Sequence, residues 1–391
     1  MIIVGIDVAK NKHDAIIIDS KGNALTKSFR INNSHKGAEA LINKINSINT
    51  NNLPVAIGME ATGHYWLPLY SRLMQEGFEI NVINPIQSDS FRNMYIRQSK
   101  NDSIDAFIIA EVIRFGRFTT TSLAEEDMLA LRNLSRFRLF QVDTVADLKR
   151  KTISLLDQVF PEYARLFSDT FGKSSLELLS SSCTPEEILA MDTENLISIL
   201  NSASKGRLGS DKANEIKSTA SESFGIKIAL DSFSFEIKQL IEQIKFIEKQ
   251  ITELEKQIQV LLEKFDTPIQ SLPGVGPVLG AIILSEIGDI TRFRDASKLV
   301  AFTGIDPTIK QSGEFVGTHN KMSKRGSPYL RRAIFLAAQV AAFSDPVLSA
   351  YYQKKRAEGK HHYTAIGAVA RKLLYITFAV LTKNHPYTPM A

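Results

Sequence analysis

Ile2-Ile3-Val4-Gly5-Ile6-Asp7-Val8 is a strand-forming run broken by a single carboxylate. Burying that charge costs several kcal/mol unless something compensates it. A second run, Val55-Ala56-Ile57-Gly58-Met59-Glu60, ends on another acid. Two more acids, Asp102 and Asp105, stand about one helical turn apart at the start of Asp102-Ser103-Ile104-Asp105-Ala106-Phe107-Ile108-Ile109. Taken singly, Asp102 is an ordinary helix cap, Asp105 a first-turn acid and Glu60 a strand-end surface residue. Asp7 has no such everyday role. Taken together, the four carboxylates suit a pair of divalent cations about 4 Å apart, a device for attacking phosphodiesters.

The surrounding pattern alternates strand and helix. Strands are expected at Ile2 to Val8, Asp14 to Asp19 and Ala24 to Ile31, with turn chemistry at Ser20-Lys21-Gly22-Asn23. A helix follows from Ser34 to Ile48, then a strand at Val55 to Met59. Next come a helix at Tyr65 to Glu76, a strand at Glu79 to Ile83 and a closing helix at Ile104 to Arg114. Three hairpin-connected strands, then helix-strand-helix-strand-helix, is the order of the ribonuclease H-like fold. In such a sheet Asp7 lies mid-strand beside the end of the strand carrying Glu60, and the last helix brings Asp102 and Asp105 over the same spot. Glu111 falls on a different face of that helix and reads as solvent-facing.

Beyond residue 125 the pattern is helical. Residues 126 to about 165 are rich in Leu, Arg and Phe, and 166–220 are polar and Ser-rich, as expected of small helices on an insertion. Then Ile237, Leu240, Ile244, Ile247, Ile251, Leu254, Ile258, Leu261 and Phe265 alternate spacings of three and four, a four-heptad a/d seam. Its partner is the 126–165 helix, another protomer, or both. From Pro268 the composition shifts. Leu272-Pro273-Gly274-Val275-Gly276-Pro277 has the form of a helix-hairpin-helix turn, in which glycines let backbone N–H groups approach a phosphate. A plain tight turn is the equal alternative. After an apolar helix at 278–287 and a loop from Gly304 to Gly326, two helices, 327–343 and 363–383, complete the domain. Ser327 reads as a helix cap.

Bulk composition narrows the function classes. The 391 residues carry 47 Lys and Arg against 42 Asp and Glu, a net charge of +5, which is compatible with nucleic acid without requiring it. The basic charge is uneven: Lys321 to Lys372 contains only Asp345 and Glu358 as acids. The single cysteine, Cys183, excludes a disulfide framework and a thiolate zinc site. His64, His319, His361 and His362 lack zinc-ligand spacing. No signal peptide opens the chain and no apolar run of spanning length is expected, so a cytoplasmic protein with no membrane contact follows by default.

The ordered set of motifs resembles the DEDD transposases of bacterial insertion sequences, a family related to the pilin-gene invertase. The resemblance rests on Gly5-Ile6-Asp7-Val8-Ala9-Lys10, Glu60-Ala61-Thr62-Gly63 and Lys100-Asn101-Asp102-Ser103-Ile104-Asp105-Ala106. Toward the C-terminus it rests on Leu272 to Pro277, Gly304 to Pro307, Gln311-Ser312-Gly313 and Ser323-Lys324-Arg325-Gly326. It implies an α/β plus all-α chain. A RuvC-like (RNase H) catalytic domain spans 1–125, a coiled-coil domain 126–267 with the 166–220 insertion, and a helical transposase domain 268–391. It implies a composite site: Asp7, Glu60, Asp102 and Asp105 hold Mg²⁺, with Mn²⁺ as an alternative, and a C-terminal serine becomes covalently linked to DNA. Ser312 matches that serine by position, with Ser323 as runner-up. Gly274, Gly276, Lys310, Lys321, Lys324, Arg325, Arg331 and Arg332 are the expected nucleic-acid contacts. The implied partners are donor and target DNA, a noncoding bridge RNA and further copies of the chain, as a homodimer or homotetramer, with the protein on the nucleoid when DNA-bound. Two rivals stand beside this reading. A RuvC-like junction resolvase would use the same acids with a metal-activated water and no serine. An inactive nucleic-acid-binding scaffold would need neither.

Overall fold

A computed structural model describes residues 1–61, 63–83, 85–92, 102–116, 126–306, 311–312, 315–316 and 322–389. For Ile86, Asp102, Ser103, Gln311, Ser312, Phe315 and Val316 it describes the backbone alone. The chain divides into two compact units, Met1–Leu123 and Ala124–Ala391.

The first unit is built on five strands: β1 (Ile2–Asp7), β2 (Lys12–Asp19), β3 (Phe29–Asn32), β4 (Val55–Glu60) and β5 (Glu79–Ile83), in the order β3-β2-β1-β4-β5. The β1–β2 and β2–β3 pairs are antiparallel, and β4 and β5 join parallel to β1. Helices α1 (His35–Ile48), α2 (Leu67–Gln75), α3 (Pro85–Arg92) and α4 (Asp102–Phe115) complete the unit. Strand side chains alternate between faces. Ile2, Val4, Ile6, Ile57 and Met59 pack with Leu41, Ile45, Leu69 and Leu73 of α1 and α2. Ile3, Ile16, Ile18 and Ala56 pack with Ile108, Ile109 and Ile113 of α4. The mixed α/β sheet expected for the N-terminal part is therefore present. Two details differ. Asp7 ends β1 rather than lying within it, and β3 is shorter than expected because the pairing with β2, begun by an Ala24–Ile18 bridge, breaks off and resumes as a ladder only at Phe29.

Gly5 and Gly58 are partners across the β1–β4 ladder and face α4. A Cβ on Gly5 would lie 2.1 Å from the Ala106 carbonyl oxygen and 2.6 Å from the Ala110 nitrogen. One on Gly58 would meet an Ile113 side-chain carbon at 2.4 Å. The missing side chains let α4 settle directly on the sheet. Gly5→Ala is expected to push the helix backbone away and cost about 1–3 kcal/mol, as overpacking does. An unchanged thermal midpoint for that variant would show that α4 does not dock as described.

Among its described residues the second unit is helical apart from a two-stranded ladder. Two long helices, α5 (Glu126–Val159) and a later partner, enclose four short ones: α6 (Lys173–Ser181), α7 (Pro185–Ala190), α8 (Thr193–Ser204) and α9 (Ser210–Ser221). The partner is α10 (Leu230–Leu262). It runs antiparallel to α5, since Asp127 pairs with Lys264 at one end and Lys151 with Glu236 at the other. Arg138–Glu255 at 2.6 Å and Lys149–Glu248 at 2.7 Å lie between them. The seam thus has a partner within its own chain. Its ends enter two separate cores: Ile237 and Ile244 pack with α6 to α9, and Ile258 packs with the C-terminal helices. Ile241 and Leu262 are buried there as well, one position beyond Leu240 and Leu261, because the ends are covered on a second side. Cys183 is buried beside Ser234, and burial pushes its thiol up to about 12, so it is inert packing.

The chain closes with α11 (Pro277–Ile287), α12 (Ala296–Thr303), the short strands β6 (Gln311–Ser312) and β7 (Phe315–Val316), and α13 (Pro328–Ser344), α14 (Pro346–Ala357) and α15 (His362–Lys383). Helix α14, between two expected helices, has little periodicity of its own and was not anticipated. Arg371 and Lys372 interrupt the apolar sequence of α15, yet the helix is 22 residues long and contains an 18-residue stretch with a mean hydropathy of 1.5. Its apolar surface has another use: Ile366, Val369, Leu373 and Leu374 are buried in the C-terminal core.

Candidate active site

Alternation along the strands assigns each acid to a face. Asp7 follows Ile3 and Gly5, and Glu60 follows Ala56 and Gly58, so both point toward the α4 side at the carboxyl ends of adjacent parallel strands. Asp105 immediately precedes Ala106, the residue that rests on Gly5. Asp7 and Glu60 therefore share one face at the carboxyl ends of two neighbouring strands, and Asp105 lies on the helix that covers that face. Asp102 begins α4, and its side chain lies outside the described residues.

The structure adds four residues that sequence reasoning missed. Asp14 stands directly opposite Asp7 in the β1–β2 ladder, on the same face. Like charges in that position repel, and Arg30 of β3 holds the Asp14 carboxylate at 3.1 Å. On α3, Ser88 donates a 2.7 Å hydrogen bond to Glu60 Oε2. One helical turn on, Arg92 Nη2 donates to Asp105 Oδ1 at 2.8 Å, while its other nitrogen holds Asp89. Asp105 is only 9% exposed, so its charge needs this guanidinium or an equivalent cation. The signal available in the sequence was weak. Asp14 alternates with Ile16 and Ile18, but Ser88 and Arg92 sit on a short polar helix with no period to mark them.

Glu111 corrects the expectation that it faces solvent. It is 6% exposed and held bidentately by Arg114, at 2.6 and 2.8 Å, against the β2–β3 turn at Gly22. Helical spacing gives its face but not what covers that face, and the covering hairpin is remote in sequence.

Among the described residues no three Asp, Glu, His or Cys side chains close on one metal-sized point. The donor chemistry nevertheless suits a hard cation. Asp7, Glu60 and Asp105 offer oxygens only, which matches Mg²⁺ or Mn²⁺ rather than zinc. Asp105 already has a cationic partner in Arg92, at 2.8 Å.

In the second unit, Ser312 lies on the β6–β7 ladder opposite Phe315; its side chain, Lys310 and Lys321 are outside the described residues. Ser323 closes the base of that loop. Its hydroxyl donates to Asp306 Oδ1 at 2.6 Å, and its backbone nitrogen to the Asp306 carbonyl at 2.8 Å. Lys324 and Arg325 are exposed. Arg331 donates to the Thr303 carbonyl at 3.1 Å, and Arg332 pairs with Asp143 at 2.8 Å. Gly274, at φ +76°, backs onto α13, where a Cβ would lie 2.3 Å from the Ala337 carbonyl oxygen. Packing therefore requires that glycine. Gly276 has open space around it at the amino end of α11.

Residues 4–161 match the DEDD transposase family of IS110, and residues 266–353 match the transposase IS116/IS110/IS902 family. The chain is 26% identical to the insertion element IS116 44.8 kDa protein of Streptomyces clavuligerus over 396 residues, covering 99% of this chain and 96% of that one. It is 26% identical to the mini-circle putative transposase for IS117 of Streptomyces coelicolor over 379 residues, 93% of this chain and 90% of the other. It is 23% identical to the pilin gene-inverting protein of Moraxella bovis over 385 residues, 98% and 97% of the two chains.

Proposed function

This chain is a transposase of the IS110/IS116 family and acts as a DNA transposase/recombinase; from that premise we propose that it cuts and rejoins strands with metal-bound carboxylates and a serine nucleophile. The observation that carries the proposal is that Asp7 and Glu60, at the carboxyl ends of adjacent strands, face α4, which carries Asp105. The β3-β2-β1-β4-β5 order supports a ribonuclease H-like, RuvC-related reading of that unit. Asp7, Glu60 and Asp105, with Asp102 completing the set, would hold Mg²⁺ or Mn²⁺. When bound, such ions polarise the scissile phosphate and stabilise charge on its oxygens.

Ser312 Oγ then forms a bond to phosphorus as the bond to the leaving deoxyribose oxygen breaks. The serine proton passes to solvent and the leaving oxygen takes one up. The phosphoserine ester conserves the bond energy, so the reverse attack by a new deoxyribose hydroxyl rejoins DNA without ATP. Ser323 is committed to Asp306 at the base of the loop, which favours Ser312. Lys324 and Arg325, with Lys310 and Lys321, supply phosphate contacts in this reading; Arg331 and Arg332 also brace the protein itself. A noncoding RNA that pairs with donor and target DNA is the proposed source of sequence choice. Assembly as a dimer or tetramer is supported by Ile247, Ile251 and Leu254, the middle of the seam, which α5 covers only in part.

The test is to trap the cleaved complex and map the peptide attached to DNA. The adduct is expected on Ser312, and Ser312→Ala should lose it while keeping DNA binding. An adduct on Ser323 would move the assignment. Cleavage with no adduct would install the resolvase chemistry instead, with activated water as the nucleophile.

A further inference from the structure

An open groove of about 840 Å³ runs between α14 and α15. Its floor is small, with Gly367 and Ala368. Its walls alternate two chemistries. Tyr351, Tyr363 and Tyr375 supply aromatic faces, and Lys360, Arg371 and Lys372 supply positive charge, while Lys355 is paired with Glu358 just outside; no lining residue is acidic. Tyr363, Gly367, Arg371 and Tyr375 follow one another at four-residue spacing, so they form one stripe along α15, about 18 Å long. Tyr363 is 63% exposed and Tyr375 43%, so both ring faces are open to a ligand. Lys355 and Lys372 both lie over the Tyr351 ring, at 5.5 and 4.8 Å from its centroid. Lys360, Arg371 and Lys372 form no ion pair among the described residues, so their charge is available. Ile305 and Met322, which also line the groove, flank the loop that carries Ser312.

We propose that this groove binds a single-stranded nucleic-acid segment, with bases stacked on Tyr363 and Tyr375 and phosphates held by Lys360, Arg371 and Lys372. Exposed rings interleaved with unpaired cations match that ligand: every base has a π-face, and the backbone repeats its charge. An acidic peptide would use the cations and leave the rings idle. Duplex cannot present its stacked bases to them. The groove would lead an unpaired strand to the base of the serine loop. This inference rests on the recombinase reading only for its ligand class; it does not depend on the metal site or on the identity of the nucleophile.

The test measures binding of labelled oligothymidylate, oligouridylate and duplex DNA to the full chain by fluorescence anisotropy across a salt series. Chelator is present, so cleavage plays no part. Tyr363→Ala and Tyr375→Ala should each weaken single-strand binding roughly 10-fold, leave duplex binding unchanged and keep the salt slope. Tyr363→Phe should bind like the parent chain and show that the ring, not the hydroxyl, matters. Arg371→Gln with Lys372→Gln should lower the slope of log affinity against log salt by about 1.4. A preference for oligothymidylate names DNA as the occupant and for oligouridylate names RNA; either supports the groove. Unchanged single-strand affinity in both tyrosine-to-alanine variants, with normal melting curves, would reduce the groove to a basic surface and overturn the proposal. Because Asp7→Ala should bind these oligonucleotides normally, failure of the catalytic reading and failure of this one remain distinguishable.

Discussion

Asp7→Ala is expected to abolish strand exchange while leaving the protein folded. Residues one step behind metal ligands cost about 10–100-fold when mutated, so loss of a ligand carboxylate should exceed about 100-fold. Stability should move the other way or not at all. Asp7 stands opposite Asp14 on the same face, and removing one of two facing charges relieves repulsion. The two measurements are a thermal melt and a recombination assay on paired substrates. Full recombination by Asp7→Ala would end the carboxylate reading. A collapsed melting curve would instead make Asp7 a structural residue, held in place by its neighbours across the ladder.

Glu286→Ala carries the largest expected effect on stability. Glu286 is 4% exposed at the end of α11. Arg136 of α5 holds it bidentately at 2.6 and 3.0 Å, and Ser327, the cap of α13, donates to it at 2.7 Å. The same Ser327 hydroxyl accepts from the Leu330 backbone at 3.1 Å. One carboxylate therefore ties together the long helix, α11 and α13. Two more guanidiniums stand close by. Arg132 donates to the Ser285 carbonyl at 2.7 Å, and Arg292 lies over the Phe293 and Phe302 rings. Burial holds both below the usual arginine range, with a smaller push from Arg136 on Arg132 and from Arg132 on Arg292, while the hydrogen bonds to Glu286 raise Arg136. Removing the acid leaves this positive cluster without its central counter-charge. Breaking a buried pair costs about 3–5 kcal/mol, and the lower end applies because Arg136 is partly exposed. Glu286→Gln keeps a hydrogen-bonding group without the charge and should fall between alanine and the parent chain. Urea unfolding of the full chain measures this, and a change below about 1 kcal/mol would show that solvent already compensates the arginines.

Much of this molecule was legible without coordinates, for a definable reason. Apolar periods are local. Ile2 to Val8 and Val55 to Glu60 announce strands by composition, and alternation alone puts Asp7 with Gly5, and Glu60 with Gly58, on a common face. The three-four spacing from Ile237 to Phe265 specifies one long amphipathic helix whatever covers it. The family-like motifs at both ends of the chain likewise reside in short windows, and the relatives that match them bear out the transposase reading. Tertiary structure alone decided which remote groups answer each charge. Asp14 meets Asp7 only through the β1–β2 register. Arg92 reaches Asp105 only because α3 lies beside α4. Glu111 is covered by a hairpin turn some ninety residues earlier in the chain. The Glu286 network joins residues about 150 positions apart, and the tyrosine–lysine groove exists only where α14 packs on α15. A polar side chain has no period to announce it, and its partner is chosen by the path of the backbone, which the hydrophobic cores dictate.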